Sequence, residues 1–220
     1  MTTKFKSVIL DFDGTIADTR ALIVSTMQQT ITELSLPSRT DDECAAMIGL
    51  PLKQTFTDLI PMDDAMGDLC AATYRRLFAE NNVPGAVPMF PNVKDTILRM
   101  HAAGMLVTVA SSRLRPSLTA FIDEMGLAPY IPYILSVSDV ERAKPAPDMV
   151  LKTLRENNLR PEDAIVVGDT AYDIRMAHTA GVKAVGVTYG NGSRASLEAE
   201  RAEWIIDDFS ELEGIAFLSS

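Results

Sequence analysis

Cysteine is scarce in this chain: Cys44 and Cys70 are the two present among 220 residues. With no partner motif around either, they signal neither a zinc site nor a disulfide framework, and they read as small buried apolar residues. Positive charge is also in short supply. Lys and Arg number 20 against 30 Asp and Glu, a net charge of −10. That sign argues against a general binder of nucleic acid or of anionic membranes. An anionic small molecule stays open, because a metal and one or two local cations can reverse the field inside a cleft. No apolar run reaches the ~18 residues of a membrane span. Met1-Thr2-Thr3-Lys4 leads into the first apolar segment without a signal-peptide core, so a cytoplasmic protein is expected. The sequon Asn191-Gly192-Ser193 carries no meaning without a secretory signal. Internal repeats and low-complexity tracts are missing as well, which excludes a solenoid.

What is present is an ordinary globular composition, 47% hydrophobic and 23% charged. It suffices for one core with a smaller satellite domain. Apolar runs at Ser7–Leu10, Met105–Ala110, Tyr133–Ser136, Ala164–Gly168 and Ala184–Val187 read as buried parallel strands, with a weaker one at Trp204–Ile206. Helical spacings lie between them, at Val93, Ile97 and Met100, at Leu114, Leu118 and Ile122, and at Val150, Leu151 and Leu154. Gly104, Gly126 and Gly181 fall where helices stop. Strands alternating with such helices predict a doubly wound α/β fold, an open parallel sheet covered on both faces.

One region departs from the alternation. Between Ala17 and Pro88 no strand pattern is found. Ile23, Met27, Ile31 and Leu34 mark an amphipathic helix, and 41–48, 52–60 and 63–82 read as further helices. The expected organisation is a catalytic core from 1–16 and 89–220 with an inserted all-helical cap at 17–88. Linkers are expected near Ile16–Asp18 and Pro84–Pro88.

Ligands of open parallel sheets bind at the carboxyl ends of the strands. Behind the first strand come Asp11, Asp13, Gly14 and Thr15; behind the second, Ser111, Ser112 and Arg113. Lys144-Pro145 follows the third, and Gly168-Asp169 with Asp173 follows the fourth. Taken singly, each has a plain reading: an Asp-Gly turn, a strand-end hydroxyl, a solvated lysine, a helix cap. Their order on successive strand ends joins them. Two acids two residues apart at a buried strand end repel each other and resist desolvation, which a divalent cation offsets. Mg²⁺ suits oxygen ligands, here the Asp11 and Asp169 carboxylates and the Asp13 carbonyl. Asp11 is then a nucleophile toward phosphorus and Asp13 a general acid and base. Ser111 and Lys144 can hold the phosphoryl oxygens, and Asp173 can steady Lys144 or a metal-bound water.

Asp11-Phe12-Asp13-Gly14-Thr15, Ser111, Lys144-Pro145 and Gly168-Asp169-Thr170-Ala171-Tyr172-Asp173 resemble the four ordered motifs of the haloacid dehalogenase (HAD) superfamily. The helical insert, with Asp18-Thr19 and Ile48-Gly49, resembles the cap of the subfamily of phosphoglycolate phosphatase and β-phosphoglucomutase. The resemblance implies a Mg²⁺-dependent phosphohydrolase: Asp11 as nucleophile, Asp13 as acid/base, Ser111 and Lys144 on the phosphate, Asp169 on metal. Asp13 argues against haloacid dehalogenation, which needs no proton for a leaving oxygen. The mutase-like members carry a histidine and an arginine near positions that here read Arg20-Ala21-Leu22-Ile23 and Gly49-Leu50-Pro51-Leu52-Lys53, so phosphatase is favoured over mutase. Pyrophosphate stays among the candidate substrates.

Arg20, Gly49, Leu50 and Lys53 are the expected cap-side contacts and Arg113 the core-side one; Gly14, Thr15 and Ser112 are expected near the phosphate. The expected partner is a small phosphorylated metabolite, with no nucleic acid and no membrane, in a monomer or homodimer. A phospho-accepting receiver domain is a rival from another class, but such domains are about half this length and lack a cap. A binding module that kept only the fold is a further rival; it would not need four competent site positions. His101 and His178 read as surface residues of core helices. Gly190-Asn191-Gly192-Ser193-Arg194-Ala195 fits a dinucleotide fingerprint in letters but follows a late strand, so it reads as a loop at the cleft rim.

Overall fold

The computed structural model describes residues 3–217; Met1 and Thr2, the start of the lead-in to the first strand, lie outside the described residues, as do 218–220. The six apolar runs form six strands: β1 (Ser7–Leu10), β2 (Leu106–Ser111), β3 (Tyr133–Ser136), β4 (Ala164–Gly168), β5 (Lys183–Val187) and β6 (Trp204–Ile206). They pair in parallel throughout, in the order β3-β2-β1-β4-β5-β6. The chain winds outward from β1 to β3, then returns to β4 on the other side of β1. The reversal between β1 and β4 opens a crevice at their carboxyl ends.

Side-chain alternation sorts the strand residues onto two faces. Val8, Leu10, Val107, Val109, Ile165 and Val167 join one apolar cluster; Ile9, Ala110, Val166 and Ala184 join another. Each face is covered by helices. The first cluster takes Val93, Ile97 and Met100 of α5 (Val93–Ala102) and Leu118, Phe121 and Ile122 of α6 (Arg115–Glu124). The second takes Met149, Val150 and Leu154 of α7 (Asp148–Glu156) and Ile174 and Ala177 of α8 (Ala171–Thr179). Burial on both faces is why the strands read as unbroken apolar runs. Two further helices, α9 (Arg194–Ala199) and α10 (Leu212–Ala216), follow β5 and β6. No helix among the described residues is long and apolar enough to cross a membrane.

Four helices separate β1 from α5: α1 (Arg20–Glu33), α2 (Asp41–Ala45), α3 (Leu52–Leu59) and α4 (Asp64–Asn81). The second is shorter than its expected span of 41–48. Thr40 and Glu43 close a capping box at its start. At the other end the chain leaves the helix through a turn into Gly49, whose φ of +105° suits glycine. The two connecting segments run side by side. Ala17 bridges Met89 in antiparallel fashion, the Asp18 N–H donates to the Pro88 carbonyl at 2.9 Å, and the Phe90 N–H donates to the Ile16 carbonyl at 3.1 Å. The helices rest on the sheet side through Phe78, whose ring meets Phe121 edge-on at 6.4 Å. Cys44 and Cys70 are buried and free, as small apolar residues.

Candidate active site

The register of the sheet brings the sequence motifs together. Leu10 pairs with Val109 on one side and Val167 on the other, so Asp11 falls level with Ala110 and Gly168, and Ser111 and Asp169 follow one residue further along the neighbouring strand ends. The Asp11 N–H donates to the Val167 carbonyl at 2.9 Å, which carries the β1–β4 ladder up to the acid. Lys144 arrives from the loop after β3 and is 2% exposed. Its Nζ donates to Asp11 Oδ1 at 2.5 Å and to Asp173 Oδ1 at 2.6 Å. Asp173 enters from the first turn of α8. Its other oxygen accepts from the Thr170 N–H at 3.1 Å and the Thr170 hydroxyl at 2.7 Å. The cap of α8 is therefore Thr170, one residue beyond Asp169, which leaves the Asp169 carboxylate free of the cap and beside Asp11 and Asp173.

Asp169 is fully buried and tightly cradled. Its Oδ2 accepts from the Asn191 N–H at 2.6 Å and from Asn191 Nδ2 at 3.1 Å; its Oδ1 accepts from the Thr15 hydroxyl at 3.4 Å. A Cβ at Gly14, where φ is +88°, would fall 2.1 Å from Asp169 Oδ2, and one at Gly190 would fall 2.3 Å from the Gly14 carbonyl. Backbone approach at these two positions needs glycine. The loop 190–192, which the sequence places at the cleft rim, closes over Asp169, and its buried Asn191 Oδ1 has no partner among the described residues. The glycine-rich spacing was a signal for close backbone approach.

Charge does not balance here. The carboxylates of Asp11, Asp13, Asp169 and Asp173 face two cations, Lys144 and Arg113. A carboxylate oxygen from each of Asp11, Asp169 and Asp173 lies within 4.8 Å of the others. Burial pushes Asp11 well above its ordinary range against the pull of Lys144, and the neighbouring acids push the same way. Burial, then the charge of Asp173, raises Asp169 to about 7. Burial opposes the Lys144 charge, but Asp11 and Asp173 outweigh it and hold the ammonium above the usual lysine value. Buried oxygen donors with surplus negative charge fit a hard divalent cation, which would replace the protons the acids otherwise retain.

Asp13 points elsewhere. Arg113 Nε donates to both its oxygens, at 2.9 and 2.8 Å, and the Thr19 hydroxyl donates to Oδ1 at 2.7 Å. The guanidinium lies over the rings of Phe12, Phe78 and Phe121, at 5.7, 5.0 and 4.8 Å. Its position on Asp13 was not anticipated, because the rings that hold it are far apart in sequence. The Ser111 oxygen accepts the Arg113 N–H at 3.2 Å. Ser112 donates to the Gly49 carbonyl at 2.6 Å, tying the strand end to the turn before α3.

A cleft of about 570 Å³ opens between the helical segment and the strand ends, with Asp11 and Asp13 in its wall. Gly49, Lys53, Ser112 and Arg113 line it. Lys53 is held by Asp64 and Asp68 at 2.6 and 3.0 Å. Arg20 does not line it; its guanidinium pairs with Asp42 at 3.0 Å on the surface. A second hollow, about 630 Å³, runs along the loop around Lys144-Pro145 and is reached by none of the four clustered carboxylates. His178 meets Glu203 at 3.2 Å and the ring of His101 meets Tyr130 edge-on, both away from the cleft.

Comparison with known proteins agrees with this geometry. A "Probable phosphatase IndB" of Dickeya dadantii is 33% identical over 212 residues, 95% of this chain and 92% of that protein. A "Pyrophosphatase PpaX" of Anoxybacillus flavithermus is 27% identical, covering 97% and 98%. The crystal structure of a predicted phosphoglycolate phosphatase from Haemophilus somnus superposes with a TM-score of 0.87 at 23% identity, over 98% of this chain and 99% of that one, which speaks to the fold. Residues 8–187 match the family described as haloacid dehalogenase-like hydrolase. With the motifs on the strand ends and this match across most of its length, the chain belongs to the haloacid dehalogenase-like hydrolase family.

Proposed function

We propose that the chain is a Mg²⁺-dependent phosphatase that takes the phosphoryl group of a small phosphomonoester onto Asp11. The observation that carries the reading is the buried cluster of Asp11, Asp169 and Asp173 around Lys144, which meets through Asp11 a cleft that also holds Asp13. The Asp11 and Asp169 carboxylates and the Asp13 carbonyl would hold Mg²⁺. When bound, it would screen Asp11 from a phosphate dianion and draw charge from the phosphoryl oxygens.

The protein groups divide the remaining work. An Asp11 oxygen forms a bond to phosphorus as the bond from phosphorus to the leaving oxygen breaks. Asp13 gives that oxygen a proton, then takes one from the water that attacks the acyl phosphate and releases inorganic phosphate. Lys144 and Ser111 meet the phosphoryl oxygens where charge accumulates. Asp173 and Thr170 keep the lysine aimed at Asp11. Arg113 and Thr19 hold Asp13 before substrate arrives; an entering phosphate offers Arg113 a second anion and frees Asp13 toward the leaving oxygen. Residues 17–88 act as the cap over a core of 1–16 and 89–220, flexing at the paired Ala17 and Met89 segments.

The relatives named phosphatase and pyrophosphatase support the reaction class. The test is direct. EDTA should silence hydrolysis of p-nitrophenyl phosphate and Mg²⁺ should restore it. Acid quench during turnover of a radiolabelled phosphomonoester, followed by peptide mapping, should place label on Asp11. Robust metal-free turnover, or label absent from Asp11, refutes the reading.

A further inference from the structure

The cleft is larger and drier than phosphate chemistry needs. Its volume of about 570 Å³ lies within the range of sites for organic ligands. A molecule of about nine non-hydrogen atoms, such as phosphoglycolate or pyrophosphate, fills roughly 270 Å³ even at the ~30 Å³ each water takes in the liquid. About half the space is left for something else. The apolar part of its lining says what. Met27 of α1, Ile48 and Leu50 before α3, Tyr74 and Phe78 of α4, and Leu114 just before α6 line it. Tyr74 and Phe78 stack at 5.7 Å, giving one side an aromatic face.

The cations in this wall are committed or exposed. Arg113 stands on Asp13, at the end of the cleft where the transferring phosphate would meet it, and Lys53 is between Asp64 and Asp68. That leaves Arg75, a solvent-exposed residue with no ion pair among the described residues. A second phosphate or a carboxylate would have to lose water against Ile48, Leu50 and Phe78 without a buried cation to receive it, which is costly. An uncharged ring would gain there by covering apolar surface.

We infer that the substrate is a phosphomonoester whose leaving group is an uncharged, apolar body of ring size, seated between α4 and Leu114 with its phosphate at Asp11. This deepens the phosphatase reading and rests on it. Benzyl phosphate and ethyl phosphate leave as similar alcohols and differ by the ring, so their ratio of kcat/KM isolates the cleft wall. In a hydrophobic pocket a single methylene is worth roughly 10–200-fold. Benzyl phosphate should therefore exceed ethyl phosphate by at least ~10-fold, and exceed phosphoglycolate and pyrophosphate as well. Benzylphosphonate should inhibit more tightly than methylphosphonate by a similar factor, a readout free of leaving-group chemistry. Leu114 is 40% exposed, so L114E should fold; it should collapse both ratios toward one. If all four esters and anhydrides are turned over but phosphoglycolate or pyrophosphate is preferred, the ring inference fails while the phosphatase stands. If none is hydrolysed with Mg²⁺ present, both fall. Ratios that survive L114E unchanged also overturn the placement of the ring.

Discussion

Replacing Lys144 by methionine should separate what the ammonium does from what its stem does. Methionine keeps a long unbranched side chain in the same buried space but removes the charge that meets Asp11 at 2.5 Å and Asp173 at 2.6 Å. Taking one partner from a buried pair typically costs about 3–5 kcal/mol, because the other charge is left uncompensated. Here two carboxylates lose their cation together, with Asp169 beside them. They can limit the damage by binding a proton. Each further proton held by the folded state changes stability by about 1.4 kcal/mol per pH unit. K144M in EDTA should thus be about 3–5 kcal/mol less stable at pH 8, a Tm drop of roughly 6–20 °C for a chain of this size. At pH 5 the deficit should shrink by at least ~2 kcal/mol as one more acid stays protonated. Urea melts at both pH values measure it. As a control, R142M removes a surface pair with Asp148 and should change little at either pH. An equal loss at pH 5 and pH 8, or a loss under about 1 kcal/mol at pH 8, would refute the claim that Lys144 balances a surplus of buried negative charge.

The same electrostatics predicts the effect of pH on the metal-free enzyme. Asp169 is raised to about 7 from an ordinary 3.8, and Asp11 is raised in the same sense. Between those values the folded state holds more protons than the unfolded one, so stability falls as pH rises through that window. Thermal melts in EDTA should show a lower Tm at pH 8 than at pH 5.5, and Mg²⁺ should add more stability at pH 8; a gain equal at both would contradict the shift. D11N should fold but show no turnover and no acid-stable label, since an amide is not a competent nucleophile. D13N should lose at least ~10²-fold in kcat/KM on a poor leaving group and less on p-nitrophenyl phosphate, whose leaving oxygen needs little protonation. G190A would set a Cβ 2.4 Å from the Asp169 Cβ, and titration calorimetry should find Mg²⁺ affinity reduced by about 10–100-fold.

The sheet was legible because its strands are buried on both faces. That burial forces unbroken runs such as Ala164-Ile165-Val166-Val167, whose shortness, β-branched content and following Gly168 separate a buried strand from a buried helix. Asp11 and Asp169 were legible because each is the residue after a strand, with Asp13 and Asp173 two and four positions further on, and strand ends converge by topology. Side-chain destinations were harder. Arg113 follows β2 and points to Asp13 because rings from positions 12, 78 and 121 form a seat for its guanidinium. Nothing local in Ser111-Ser112-Arg113 encodes that seat. Asp169 and Thr170 are both good cap residues; the acid three positions after Thr170 is the spacing of a capping box and settles the choice. Arg20 reads as a cleft cation from its place near the motif, yet an exposed acid on α2 takes it to the surface. Partner choice among surface charges is worth so little free energy that sequence position carries almost no information about it.

Acids elsewhere in the molecule are matched locally and mostly at the surface: Glu213 by Arg99, Asp148 by Arg142, Glu200 by Arg175. Such pairing costs little desolvation and explains itself. The switch point between β1 and β4 breaks that pattern. Among the described residues it is the one place where three acids converge, and all three are buried. Glycines at 14 and 190 give up side chains to keep Asp169 there, and a buried lysine gives up hydration to stay between Asp11 and Asp173. A fold selected for stability alone would exchange these groups for apolar ones of similar size. Local rules broken together, at the position where topology leaves a crevice, mark a site whose stability cost is offset by chemistry. The apolar wall of the cleft is the complementary half of that logic, since it supplies the dry surroundings in which a few fixed charges act with most force.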